Sequence, residues 1–257
     1  MTVAPKKALG QHFLVDENIL GVIGRLSDLR ESDVVLEVGP GLGVLTRYLA
    51  DRVRLVHAVE LDRSLEPALR EALDARTNVR LVWADALDVD VQKLRPRPTK
   101  LVANLPYNVA TPLVVETLEH AASVELWCVM VQREVADRFF AAPRTKAYGA
   151  VSVLVQLSAR RVGFHAVSPT VFRPPPRVGS ALVAFERSPT AAIEDVRPVV
   201  EAAFAHRRKT AANSIALAGL ASRARVEEAM AAIGKQPGAR AEELEPLEFV
   251  ELASALR

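Results

Sequence analysis

Val34-Val35-Leu36-Glu37-Val38 runs directly into Gly39-Pro40-Gly41-Leu42-Gly43, and this stretch decides the fold. Four of its first five residues are apolar, as in a strand buried within a sheet. The alternating glycines then let the backbone turn sharply and approach a ligand closely. A helical pattern follows over 43–50, so strand, glycine turn and helix open a βαβ unit. Outward from it, short apolar runs recur at 34–38, 55–60, 79–83, 100–103, 125–131, 151–157 and 181–185. Helical patterns fall at 18–26, 43–50, 65–74 and 111–119, with Pro112 in a first turn where its missing N–H does no harm. The alternation predicts one doubly wound, seven-stranded α/β domain over residues 1–189. After Ser188-Pro189-Thr190 the β-type runs stop, and 196–204, 210–217 and 225–233 read as helices. A small all-helical C-terminal domain is expected over 190–257.

The chain has 257 residues, half of them hydrophobic, enough to bury a substantial core, so intrinsic disorder is excluded. Its single cysteine, Cys128, lies in the apolar run 126–131, where a thiol behaves as a small hydrophobe. No disulfide, zinc or other metal framework is expected. Residues 1–10 carry two lysines without a following apolar region, and no run of 18 apolar residues occurs, which predicts a cytoplasmic protein without a membrane span. With no long apolar helix face left over, a monomer is expected.

The net charge of +2 conceals an uneven distribution. From Arg138 to Phe185 no Asp or Glu occurs, against Arg138, Arg144, Lys146, Arg160, Arg161, Arg173 and Arg177. The last stretch, 226–257, is acidic. A positive face with its counterweight elsewhere suits a polyanion, although a solvated basic surface gives the same pattern.

The glycines do not fit a dinucleotide fingerprint, because Val44 stands where G-x-G-x-x-G/A requires a small residue. A pyrophosphate would also demand exposed helix amides, whereas Glu37 beside the turn suits a cation. S-adenosylmethionine, with its sulfonium and amino-acid group, is such a ligand. Glu60 ends the second strand, where a carboxylate accepts ribose hydroxyls. Asp85, ending the third, is placed for an adenine amine. Taken singly, Gly39, Gly41 and Gly43 form an ordinary turn and Glu60 and Asp85 serve as helix caps. Together they mark one crevice at three strand ends.

The fourth strand runs into Asn104-Leu105-Pro106-Tyr107, which resembles the Asn/Asp-Pro-Pro-Tyr/Phe loop of amino-group methyltransferases. An exocyclic amine of adenine is a poor nucleophile because its lone pair is delocalised into the ring. The Asn104 side-chain oxygen and the Leu105 carbonyl are suited to accept its hydrogens, Pro106 to stiffen the turn, and Tyr107 to stack on the base. Such a site works by positioning and electrostatics, without a strong base. The fold expected is thus a Rossmann-like class I methyltransferase domain.

Further segments complete a family pattern: Gly10-Gln11-His12-Phe13-Leu14, Tyr148-Gly149, the stretch from Val171-Phe172-Arg173-Pro174 to Arg177-Val178-Gly179-Ser180-Ala181, His206-Arg207-Arg208-Lys209-Thr210 and Arg240-Ala241-Glu242. With the glycine loop and Asn104–Tyr107, the chain resembles the ribosomal RNA adenine N6-dimethyltransferases, in the small-subunit branch linked to kasugamycin sensitivity. The resemblance implies N6,N6-dimethylation of two adjacent adenines in a 3′-terminal hairpin of 16S rRNA during small-subunit biogenesis. It further implies cofactor contacts from His12, Leu14, Gly39, Glu60, Asp85 and Asn104, and a base held by Phe172 and Tyr107. Phe172 lies in a proline-stiffened, acid-free loop, as suits an unstacked base, with a core staple as the alternative. His12 reads equally as a packing residue.

Arg207, Arg208 and Lys209, on a helical segment, read as RNA phosphate contacts, joined by Arg173 and Arg177; pairing with the acidic tail is the alternative. Ala84 departs from the family pattern, in which glycine often precedes the acid. Two other functions remain open. One is the related large-subunit (23S) methyltransferase that confers antibiotic resistance; the other is a non-catalytic ribosome assembly factor.

Overall fold

The computed structural model describes Lys6 and residues 11–257; the expectation placed on the first ten residues, and Gly10 of the family pattern, otherwise lie outside them. The chain divides into two compact units, residues 1–136 with 161–187, and residues 137–160 with 188–257.

The first unit begins with β1 (Phe13–Leu14) and α1 (Glu17–Leu26), whose start is capped by Asp16 accepting from Asn18 N. There follow β2 (Val34–Val38), α2 (Val44–Ala50), β3 (Leu55–Glu60), α3 (Glu66–Leu73), β4 (Val79–Trp83), β5 (Lys100–Asn104), α4 (Ala110–His120), β6 (Leu126–Gln132) and α5 (Arg133–Phe139). After α6 (Ala150–Ser158) come β7 (Ala159–Val167), β8 (Phe172–Arg173) and β9 (Ser180–Arg187). Seven strands form one sheet in the order β4-β3-β2-β5-β6-β9-β7. Neighbours from β4 to β6 are parallel, and β9 returns antiparallel to β6. Every residue of β2 and β3 is buried, the burial expected of central parallel strands covered on both faces.

The sheet order fixes the site. The chain proceeds outward from β2 to β3 and β4, then returns to the other side of β2 as β5. Between β2 and β5 lies a topological switch point, where a crevice opens beyond the carboxyl ends of the strands. The glycine turn leaves β2 there, and Asn104 ends β5 there.

One expected strand is a helix. Residues 151–157 lie within α6, where Ser152, Val153, Leu154, Val155, Leu157 and Ser158 are buried. An apolar run buried on nearly all sides carries no periodicity that separates strand from helix. The Gly149 amide donates to Ser152 Oγ at 3.1 Å, closing the first turn of this helix. The seventh strand is instead β7, at the sheet edge and mostly exposed; edge strands carry charge and lack the apolar alternation that announces a strand.

The second unit is helical. Segment 137–160 contributes α6, and 188–257 contributes α7 (Ile193–Phe204), α8 (Ala211–Leu217), α9 (Arg223–Ala232) and α10 (Pro246–Leu256). It thus extends the C-terminal segment 190–257 by an earlier stretch, because α6 packs on α7 and α10. The Tyr148 hydroxyl donates to Leu244 O at 2.8 Å, and Tyr148 meets Phe204 edge-on at 5.9 Å. No helix among the described residues is long and apolar enough to cross a membrane.

Candidate active site

A solvent-open cavity occupies the switch point, the concave setting in which open α/β sheets hold ligands. Its floor is the glycine turn. Gly39, Gly41 and Gly43 have φ of 73°, 58° and 77°, the left-handed region that L side chains enter only at a cost. Space adds a second reason: a Cβ on Gly41 would stand 3.0 Å from the Phe13 ring, and one on Gly39 would stand 3.3 Å from Pro106. Three backbone bonds hold the turn, Gly39 N to Val59 O, Gly43 N to Pro40 O and Arg47 N to Gly43 O, each 2.9 Å.

Two carboxyl groups face this cavity from strand ends. Glu37 is 1% exposed, and its Oε2 has no partner among the described residues. Burial pushes its pKa up to about 8, with the Thr46 hydroxyl opposing and Glu60 adding to the rise. Glu60, also buried, accepts from Gly41 N at 3.2 Å through Oε2 and from Asp62 N at 2.8 Å through Oε1. Burial raises its pKa too, against those amides. Each Glu60 oxygen keeps a second lone pair for a ligand hydroxyl. Asp85, half-buried at the cavity wall, accepts from Leu87 N at 3.0 Å, so it shapes its own turn as well.

Asn104-Leu105-Pro106-Tyr107 forms the opposite wall. Leu105 N donates to Met130 O at 3.0 Å, and Pro106 O accepts from Val109 N and Ala110 N, both at 3.1 Å. Pro106 thus joins the strand end to the start of α4. Asn104 Nδ2 donates to His12 O at 3.2 Å, which leaves Oδ1 as the acceptor. The Tyr107 ring lies 5.7 Å from His12 at 33°, and its hydroxyl shares a 2.8 Å hydrogen bond with Ser180 Oγ. His12 Nδ1 contacts Pro174 O at 2.7 Å. His12 and Leu14 both line the cavity, so the N-terminal segment closes one side.

Phe172 is not brought to this cavity, contrary to its expected part in holding a base. It pairs with Leu14 through β1 and β8, is 2% exposed, and packs in the core with Ile19, Ile23 and Val171. A ring shielded on all sides has no face for a base. Arg173 and Arg177 beside it are exposed. In the second unit, Arg207-Arg208-Lys209 falls in the turn between α7 and α8 instead of on a helix. Arg207 Nη2 is engaged there, donating to Lys146 O and Tyr148 O at 3.2 and 3.3 Å; Arg208 and Lys209 are exposed.

Gln11 and Phe13, which the sequence marks only as part of the family pattern, and Leu61, which no motif marks, also line the cavity. Leu61 is 54% exposed, an apolar side chain left at an opening directly after Glu60. Its signal was that adjacency alone.

This fold and site define a class, the Rossmann-like methyltransferases, among which the similar solved structures fall. A family model, ribosomal RNA adenine dimethylase, matches residues 4–256, and the chain belongs to this family. It is 53% identical over 254 residues to ribosomal RNA small subunit methyltransferase A of Rubrobacter xylanophilus, covering 98% of this chain and 95% of that one. To the protein of the same name in Kineococcus radiotolerans it is 46% identical over 265 residues, covering 99% and 87%. Among solved structures it resembles the 23S rRNA methyltransferase ErmE, with TM-score 0.67, 30% identity, and 95% and 99% of the two chains covered. A dimethyladenosine transferase from Plasmodium falciparum shares the fold, with TM-score 0.75, 21% identity and coverage of 94% and 96%. The family resemblance carried by the motifs therefore holds, and the chain is an rRNA adenine methyltransferase.

Proposed function

We propose that this enzyme uses S-adenosylmethionine to dimethylate N6 of two adjacent adenines in a 3′-terminal hairpin of small-subunit rRNA. The observation that carries the reading is the meeting of Glu37, Glu60 and Asn104–Tyr107 at one switch-point cavity. The cofactor fits the residues present. Glu37 offers a buried carboxyl oxygen without a partner among the described residues, suited to a cationic amino-acid group, and Glu60 offers lone pairs to ribose. Asp85 stands at the wall for the adenine amine, with Gly39, Gly41, His12 and Leu14 shaping the surround. When bound, the cofactor supplies an electrophilic methyl on a sulfonium.

The chain's own residues prepare the nucleophile. Asn104 Oδ1 and the Leu105 carbonyl accept the hydrogens of the target amine, drawing its lone pair out of conjugation. Tyr107, anchored through Ser180, offers its ring to the base. Each transfer would form one N–C bond as one sulfonium S–C bond breaks, with the thioether as leaving group and one amine proton passing to solvent. A monomethylated amine keeps one hydrogen for this acceptor pair, while the dimethylated amine has none and loses that hold. Exposed Arg173, Arg177, Arg208 and Lys209 are proposed to contact RNA phosphates.

The test is transfer of labelled methyl from S-adenosylmethionine to unmethylated small subunits, large-subunit RNA and duplex DNA, followed by nucleoside analysis. N6,N6-dimethyladenosine on small subunits alone is the expected result. Label on large-subunit RNA moves the reading to the branch that includes ErmE. Tight subunit binding without transfer favours a non-catalytic assembly role.

A further inference from the structure

One buried acid beside the site has no part in the chemistry above. Asp62, two positions beyond Glu60, is 5% exposed, does not line the cavity, and bonds instead to Lys6 and Gln11. Its Oδ1 accepts from Lys6 Nζ at 2.6 Å, and its Oδ2 from Gln11 Nε2 at 2.9 Å. Ser64 N and Oγ add donors to Oδ1 at 3.0 and 2.6 Å. Lys6 N donates in turn to Gln11 Oε1 at 2.8 Å, closing a ring of hydrogen bonds. Burial acts to raise the Asp62 pKa, but the Lys6, Ser64 and Gln11 donors outweigh it and hold the carboxyl well below its usual range.

From Gln11 onward the chain is cavity wall, as Gln11, His12, Phe13 and Leu14 all line it. The far end of this wall is fixed by main-chain pairing of Phe13 and Leu14 with Arg173 and Phe172, and the middle by Asn104 Nδ2 on His12 O. The near end is held by side chains, through Lys6 and Gln11 on Asp62. The two kinds of attachment differ in what their release costs. Strand pairing breaks only with disruption of β1 and β8, whereas the ion pair of a buried Asp62 with a Lys6 side chain that is 49% exposed opens by rotation of one side chain into water.

We propose that Asp62 is a positioning residue, a tie that holds the Gln11–Leu14 wall against bound cofactor and sets how long the cofactor stays. The proposal rests on the reading of the cavity as the S-adenosylmethionine site. Dimethylation consumes one donor molecule per methyl, so spent cofactor leaves and fresh cofactor enters between transfers. A wall with one releasable end meets that requirement without movement of the catalytic loop.

The experiment measures dissociation of S-adenosylhomocysteine from the full chain by stopped flow, for wild type, Asp62→Asn, Lys6→Met and the double variant. Each single variant is expected to release the ligand about tenfold faster, the scale of one charge-assisted hydrogen bond. The double variant is expected to add little to Asp62→Asn, because both changes cut the same tie. In steady state, the KM for cofactor rises more than kcat falls. Lys6→Met alters a half-exposed side chain, so its result stands even where Asp62→Asn folds poorly. Wild-type dissociation rates in both singles, or loss of kcat at unchanged KM, overturn the tie. A wild type that binds no S-adenosylhomocysteine overturns the cofactor reading and the tie with it.

Discussion

The glycine loop 39–43 and the proline loop 171–180 both read in the sequence as site-forming, and the structure uses them in opposite ways. In the first, the backbone itself is the functional surface: left-handed Gly39 and Gly41 carry the chain along the cavity, against Pro106 and Phe13, whereas Gly43, expected at the cofactor, does not line it and faces Leu69 and Ala72. In the second, the conspicuous aromatic turns inward, with Phe172 and Val171 at 2% and 6% exposure. What this loop lends the site is quieter. Pro174 O meets His12 Nδ1 at 2.7 Å, and Ser180 Oγ meets the Tyr107 hydroxyl at 2.8 Å. Glycine spacing constrains the path of the chain directly, so the sequence reports it. The direction an aromatic faces is set by what packs on it, and that is a property of the fold.

The largest effect that sharpens this contrast belongs to the acceptor opposite the glycine loop. Asn104→Ala is expected to lower kcat roughly 100- to 1000-fold, the range for loss of one preorganised hydrogen-bonding group, in single-turnover transfer to small subunits. Gly41→Ala comes next. Its φ of 58° and the 3.0 Å approach to Phe13 cost about 1–2 kcal/mol of backbone strain, read as about tenfold weaker cofactor binding by calorimetry. Phe172→Leu is expected to lower stability by about 1 kcal/mol while turnover of the folded enzyme changes by less than about twofold. A hundredfold loss of turnover at unchanged melting temperature breaks the contrast and returns Phe172 to the base.

Two smaller effects probe the supports. Burial keeps the Glu37 proton up to about pH 8 in the folded protein, while the unfolded chain loses it in the usual carboxylate range. The folded state therefore binds more protons between those limits, and the stability of the ligand-free protein falls as pH rises through them. Melting curves over that window are expected to show the decline, and Glu37→Gln to flatten it. Smallest is Ser180→Ala, which frees the Tyr107 hydroxyl and is expected to cost a few-fold in kcat, in keeping with about 1 kcal/mol for one hydrogen bond.

Sequence legibility followed the same division. The strands flanking the switch point were plain because each is a short apolar run between turn residues, and the acid at the end of β3 could be located by counting from the glycines. The 151–157 run was not plain, since valines buried on nearly all sides satisfy strand and helix alike. Edge strand β7, with Arg160 and Arg161 exposed, has no apolar face to announce it. Arg207 carries the charge of an RNA contact, yet its guanidinium braces Lys146 and Tyr148, a use that depends on residues far away in sequence. Asp62 is similar: its partners Lys6 and Gln11 lie some fifty positions earlier, and only folding makes the tie visible.

The most direct test of the central claim is a crystal structure of the chain with S-adenosylhomocysteine. The ligand is expected across the switch point, its ribose at Glu60 and its amino-acid end near Glu37, with Phe172 still buried beside Leu14. A ligand bound elsewhere, or one whose binding swings Phe172 out to the cavity, contradicts that claim.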